Sequence, residues 1–188
     1  MVVPGQYEVR LTVGGQTLRQ PITVKLDPRL NYSTAELQQQ LELAQKIAAG
    51  MKATYDGYNQ VAQLRTELAD RLDRLQKSGK SQEALDAAKA ADSKAQGLTD
   101  AGGPPAALGP MNRDLTRLMI AVGQSDSPPA SEIVETFTGM CQDTKAALTR
   151  WNDLRSQDLV TLNGILAKAG VAAVTVPGPL TATVNCGN

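Results

Sequence analysis

The 188 residues contain no histidine. That removes imidazole general-base catalysis, the serine and cysteine triads that depend on it, and every histidine-containing metal site. Aromatic residues make up only 3% of the chain, against 41% hydrophobic residues as a class. Any core must therefore be aliphatic, built from Leu, Ala, Val and Ile. An excess of one charge is missing too: 19 Lys and Arg balance 19 Asp and Glu. No basic face for nucleic acid is expected from that balance. No apolar run reaches the roughly 18 residues of a membrane-crossing helix, so membrane insertion is not expected. Met1-Val2-Val3-Pro4-Gly5 has neither a charged n-region nor an apolar h-region, so no signal peptide is expected within this chain. Two cysteines, Cys141 and Cys186, are too few for a disulfide framework or a four-thiolate zinc site. The simpler expectation is a half-buried thiol at Cys141 on a helix and a free thiol at Cys186 in the tail. The alternative is a bridge between them, which needs an oxidising compartment.

What is present begins with a strand pattern. Tyr7, Val9, Leu11 and Val13 alternate with Gln6, Glu8, Arg10 and Thr12, the period of a half-buried strand. Gly14-Gly15 is a two-residue turn suited to positive φ. Leu18, Ile22, Val24 and Leu26 then share one parity. With the glycines as the loop, Leu11 faces Leu18 and Tyr7 faces Ile22, so the apolar sets meet across a hairpin. Pro21 cannot donate to a ladder, which makes the second strand an edge or an interrupted strand.

Asp27-Pro28-Arg29 ends the alternation, and Ser33-Thr34-Ala35-Glu36 has the spacing of a capping box. Apolar residues then recur at three and four: Leu37, Leu41, Ala44, Ala48, Met51, Tyr55 and Tyr58, continued by Val61, Leu64, Leu68, Leu72 and Leu75. The spacing predicts one helix of roughly 45 residues, about 68 Å long, ending at Ser78-Gly79. Gly50 and Gly57 weaken its middle by up to about 1 kcal/mol each relative to Ala, and a bend is allowed there. A second, alanine-rich helix is expected from Gln82 to about Gln96. A loop follows at Gly102-Gly103-Pro104-Pro105, with further breaks at Gly109-Pro110. A short helix is expected over 111–122, a break over 125–129, and a last long helix over 130–169. Its stripe is Ile133, Phe137, Met140, Leu148, Trp151, Leu154, Leu162, Ile165 and Ala169. Residues 171–188, with Pro177-Gly178-Pro179, read as an extended tail.

The motifs that could carry chemistry are weak. Ser78-Gly79-Lys80-Ser81 looks like the end of a phosphate loop, but Arg74 stands where the first glycine belongs and a helix precedes it, so a helix–helix turn is expected. Asn31-Tyr32-Ser33 fits a glycosylation acceptor, although Ser33 is better placed as the helix cap. Glu67, Asp70, Asp73, Asp143 and Asp153 sit among Arg65, Arg71, Arg74, Lys145 and Arg155 at helical spacing. That is a solvated face of ion pairs rather than a glycosidase pair. Tyr55, Tyr58 and Trp151 are expected in the core rather than in a ligand cage. No catalytic, cofactor-binding or metal-binding residue is assigned, and no cofactor is expected.

Several segments together carry a resemblance. They are Pro4 to Gln16, Gln20-Pro21-Ile22-Thr23-Val24, Leu26-Asp27-Pro28-Arg29, Pro110 to Leu115, and Leu162 to Gly170. Over Pro4 to about Val174 the chain resembles the C-terminal hairpin-plus-helical region of bacterial sortilin-like, BNR-repeat β-propeller proteins, often labelled glycosyl hydrolases. The resemblance implies the last strands of a small β-sandwich, an Asp-Pro-Arg junction and a helical segment. No propeller residue maps onto this chain.

The fold expected is mainly α: a β-hairpin over 1–27, an elongated antiparallel helical bundle over 28–170 with two long and two short helices, and an extended tail over 171–188. The short helices should return along the long ones. The function expected is that of a non-catalytic C-terminal structural or association module of an exported or envelope-associated bacterial protein, secreted, periplasmic or in the cell envelope. Its partners would be upstream domains of the same polypeptide or a second copy of the chain. The alternatives are a free-standing helical scaffold or adaptor and, more weakly, a fragment of a glycoside hydrolase.

Overall fold

The computed structural model describes residues 2–79, 81–99 and 106–187. Lys80 and the expected loop at Gly102-Gly103-Pro104-Pro105 lie outside the described residues. Two strands open the chain, β1 (Gly5–Val13) and β2 (Gln16–Val24), paired antiparallel. The register is the expected one, with Leu11 opposite Leu18 and Tyr7 opposite Ile22. Gly14 (φ 55°) and Gly15 (φ 81°) take the two positive-φ positions of a type I′ turn, whose twist matches that of the strands.

Helix α1 (Thr34–Ser78) has 45 residues and runs unbroken through both glycines. Ser33 and Glu36 form a complete capping box at its start, and Gly79 closes it in the left-handed conformation. Helices α2 (Gln82–Thr99) and α3 (Leu108–Val122) then return along it end to end. Leu108 lies against Gly57, Leu115 against Gly50, and Gln40 donates to the Val122 carbonyl at 2.6 Å. Helix α4 (Ser131–Asp153) turns back alongside, and a π-helical segment, Leu154–Asp158, joins it to α5 (Leu159–Lys168). The result is a bundle of three rods: α1, then α2 with α3, then α4 with α5. The tail crosses back along α1. Arg71 donates to the carbonyls of Ala172 and Ala173, Thr175 N–H to Glu67, and Gln60 to the Gly178 carbonyl.

Two apolar clusters fill the bundle. One gathers Leu64, Leu68 and Leu75 of α1, the alanine face of α2, and Trp151, Leu154, Leu159, Leu162 and Leu166. The other gathers Leu43 and Ile47 with Met111, Leu115, Phe137 and Cys141. Trp151 and Leu68 are both fully buried, as the stripes require. Between the clusters, Gly50 and Gly57 let α3 approach. A Cβ at these positions would meet Leu115 Cδ1 at 3.1 Å and Leu108 Cδ1 at 3.2 Å. Asn112 donates there to the Met51 carbonyl (2.8 Å) and to Thr54 Oγ1 (3.0 Å).

Three expectations are corrected. The buried face of the first half of α1 is Leu37, Gln40, Leu43, Ala44, Ile47, Gly50, Ala53, Thr54 and Gly57. Ala48 is exposed and so is Tyr55, at 60%. Choosing glycine, threonine and glutamine as inward positions requires knowing that a helix is held close, which hydrophobicity alone does not report. The last rod is not one regular helix. A step of five from Leu154 to Leu159 would turn an apolar residue off the seam of a 3.6-residue helix. The π turn, with Leu159 N–H donating to the Leu154 carbonyl, absorbs it. Finally, Cys141 and Cys186 are not free thiols: they form a disulfide with their Cα atoms 5.6 Å apart.

Candidate interaction site

The hairpin is a ribbon with two unlike faces. On one face Glu8, Arg10, Thr12 and Gln6 meet Pro21, Arg19, Thr17 and Thr23. Arg19 donates to Glu8 at 2.6 Å, the Thr12 and Thr17 hydroxyls share a hydrogen bond at 3.0 Å, and Thr23 donates to Gln6 at 2.9 Å. On the other face Tyr7, Val9, Leu11 and Val13 run beside Leu18, Ile22 and Val24, with Gln20 and Gln16 opposite Val9 and Val13. This apolar face is uncovered. Val9, Leu11, Val13, Leu18 and Ile22 are between 46% and 68% exposed. Among the described residues, no Cα of either strand lies within 8 Å of a helix Cα. Only the root of the ribbon meets the bundle, where Val3, Pro4, Val24 and Leu26 line a small cleft with Leu37, Gln40 and Asp126.

The two edges differ. Val13 and Gln16 flank the two-residue turn, so they form a hydrogen-bonded pair, and such pairs recur at every second position. The odd-numbered residues of β1 thus spend their backbone groups on β2. Gln6, Glu8, Arg10 and Thr12 point theirs outward. On β2 the outward positions are Thr17, Arg19, Pro21 and Thr23, and Pro21 has no N–H to offer. The edge of β2 is interrupted and that of β1 is open along its length.

The bundle has clefts of its own. A cleft of ≈ 310 Å³ between α1, α4 and the tail is lined by Glu42, Lys46, Leu43, Phe137 and Val134, with the disulfide at Cys186 on its wall. Glu42 is the sole acid there, and Lys46 donates to the Gly187 carbonyl. Among the described residues no group of three or more Cys, Asp or Glu could hold a metal ion. No described helix is long and apolar enough to cross a membrane. The acids singled out in the sequence are spread along solvated faces. Asp70 pairs with Arg71 and Arg74, Asp73 pairs with Lys77, and Glu67 accepts from the tail. Asp143 and Asp153 are exposed. Hydrogen bonding by Arg74, ahead of the Arg71 contribution, holds the Asp70 carboxyl below its ordinary range. A catalytic acid would need the opposite shift. Trp151 is core, with its indole N–H donating to Gln60 at 2.9 Å.

Sequence reasoning missed the tail as a structural part. Val174 is buried and held on both sides of its peptide by Asn163, and Cys186 is anchored. The parity of Val174, Val184 and Cys186 was the available signal, but without regular structure it has no period to follow. Comparison with protein-family models, curated proteins and solved structures finds no match.

Proposed function

We propose that this chain is a non-catalytic association module of an exported or envelope-associated protein. In this reading the helical bundle is a rigid stalk and the hairpin is the part that engages another polypeptide segment. The observation that carries it is the uncovered apolar face of the ribbon. Side chains of this kind are each worth roughly 1.5–3 kcal/mol when buried. A two-stranded hairpin is marginal by itself, and added strands or a packed surface complete it. The Cys141–Cys186 bridge supports an oxidising compartment, where such bonds persist. The likeness to hairpin-plus-helix regions of larger bacterial proteins supports the same setting.

Removal of residues 1–26 tests the reading. The remaining chain should keep its far-ultraviolet circular dichroism and most of its thermal stability, because the strands meet the bundle only at the ribbon's root. Its sedimentation should show no self-association or association with any segment that binds the full chain. Loss of helical signal on truncation would place the hairpin in the bundle's own core and remove the physical basis for an association role.

A further inference from the structure

We infer that the open edge of β1 pairs with the same edge of a second copy of this chain, antiparallel about a two-fold axis at Val9. The inference rests on the association reading above and names its partner. The edge choice follows from Pro21, which interrupts the outward N–H row of β2, whereas Gln6, Glu8, Arg10 and Thr12 present an unbroken row.

The partner follows from the strand's own sequence. Antiparallel pairing of two β1 edges must place even-numbered residues opposite even-numbered ones. With the axis at Val9, Glu8 lies opposite Arg10 of the second copy, and Arg10 opposite its Glu8. Gln6 then faces Thr12, Tyr7 faces Leu11, and Val9 faces Val9. All nine residues of the strand overlap. Moving the axis to residue 8 opposes two glutamates, and moving it to residue 10 opposes two arginines. Axes at residues 7 or 11 shorten the overlap and leave both Glu8 and Arg10 facing uncharged residues. The charge pattern therefore selects one register, since opposite charges stabilise a cross-strand pair and like charges destabilise it.

The hairpin's own strain points the same way. Arg10 stands directly opposite Arg19, a like-charged pair, and a single carboxylate, Glu8, serves both, at 3.7 Å and 2.6 Å. The second copy brings its own Glu8 to Arg10. Pairing also turns two lone ribbons into one four-stranded sheet with a largely apolar face, which meets the three-strand minimum for a sheet to stand by itself.

The test uses the full chain. Sedimentation over a concentration series should show a reversible monomer–dimer equilibrium. At Val9 the two backbones meet in a non-hydrogen-bonded pair, where the Cα atoms stand about 4.5 Å apart. The Cys141–Cys186 bridge leaves an introduced thiol as the sole free one. Val9→Cys should therefore form a disulfide-linked dimer on mild oxidation, while Leu11→Cys, facing Tyr7, should remain largely unlinked. Glu8→Arg and Arg10→Glu should each weaken self-association on the order of tenfold, from two reversed cross-strand pairs. Mixing the two variants should restore association as a heterodimer. A full chain that stays monomeric at every concentration, equal cross-linking of the two cysteine variants, or no association on mixing overturns the inference. The truncated bundle staying folded in that case leaves an association role with a different partner standing, whereas its unfolding removes both.

Discussion

Leu68 occupies the centre of the seam between α1, α2 and the last rod, and it has no exposed surface. A carboxylate there would be charged, dry and without a partner. Leu68→Asp should lower stability by several kcal/mol, read as a fall in the thermal midpoint. An unchanged midpoint would place that stripe in solvent. Glu36 makes a prediction of the opposite kind, at the surface. Its carboxylate accepts from the Ser33 N–H and hydroxyl, both at 2.7 Å. The backbone hydrogen bond, then the hydroxyl, holds its pKa below the ordinary value. A depressed folded-state value means the contribution is present above the unfolded value, about 4.3, and is lost as pH falls through the folded value. The thermal midpoint of the natural chain should drop below about pH 4 more steeply than that of Glu36→Gln. Parallel profiles would mean the capping box does not contribute. Both residues were legible in the sequence, because a heptad-like stripe and a Ser-x-x-Glu spacing are local patterns. The part that Gly50 and Gly57 play in packing is not visible in the sequence. In sequence they are weak helix formers, whereas in the fold they are the places where Leu115 and Leu108 come closest to α1.

Elements with a strict period were legible and those without one were not. The hairpin register follows from a period of two and a glycine pair, and the structure agrees with it residue by residue. The division of the last rod by a π turn escaped detection, because one five-residue step looks like noise in a 3.6-residue pattern. The anchoring of the tail escaped because an extended segment has no period to follow, whereas its bridge to Cys141 is one of the two alternatives the cysteines leave open. The bridge spans 45 residues of sequence and pins the tail across α1 to α4. A loop of that length contributes about 4 kcal/mol in the chain-entropy account of cross-links. Reduction, or Cys186→Ser, should therefore lower the thermal midpoint and speed amide exchange in 171–187, while most helical signal remains at low temperature. A midpoint indifferent to reductant would show that the tail's hydrogen bonds hold it without the bridge.

At the scale of the molecule, the chain divides its surface between a bundle that has covered most of its large apolar residues, Tyr55, Ile120 and Val160 apart, and a ribbon that has left a whole face open. The three rods bury their seams in two clusters and use the tail to close the remaining side. The hairpin touches this body only at its root. The proposed association role rests on that contrast, which the sequence shows only as a change of period near Asp27. The contrast makes the hairpin a separate unit of stability. Native-state amide exchange of the full chain at low concentration measures it directly. Amides of β1 and β2 should exchange through an opening far less costly than the one governing α1 residues such as Leu64 and Leu68. Raising the protein concentration should slow the hairpin amides alone. Hairpin amides as protected as the α1 core at every concentration would contradict it, because the ribbon would then belong to the bundle's cooperative core and would have no free face for a partner.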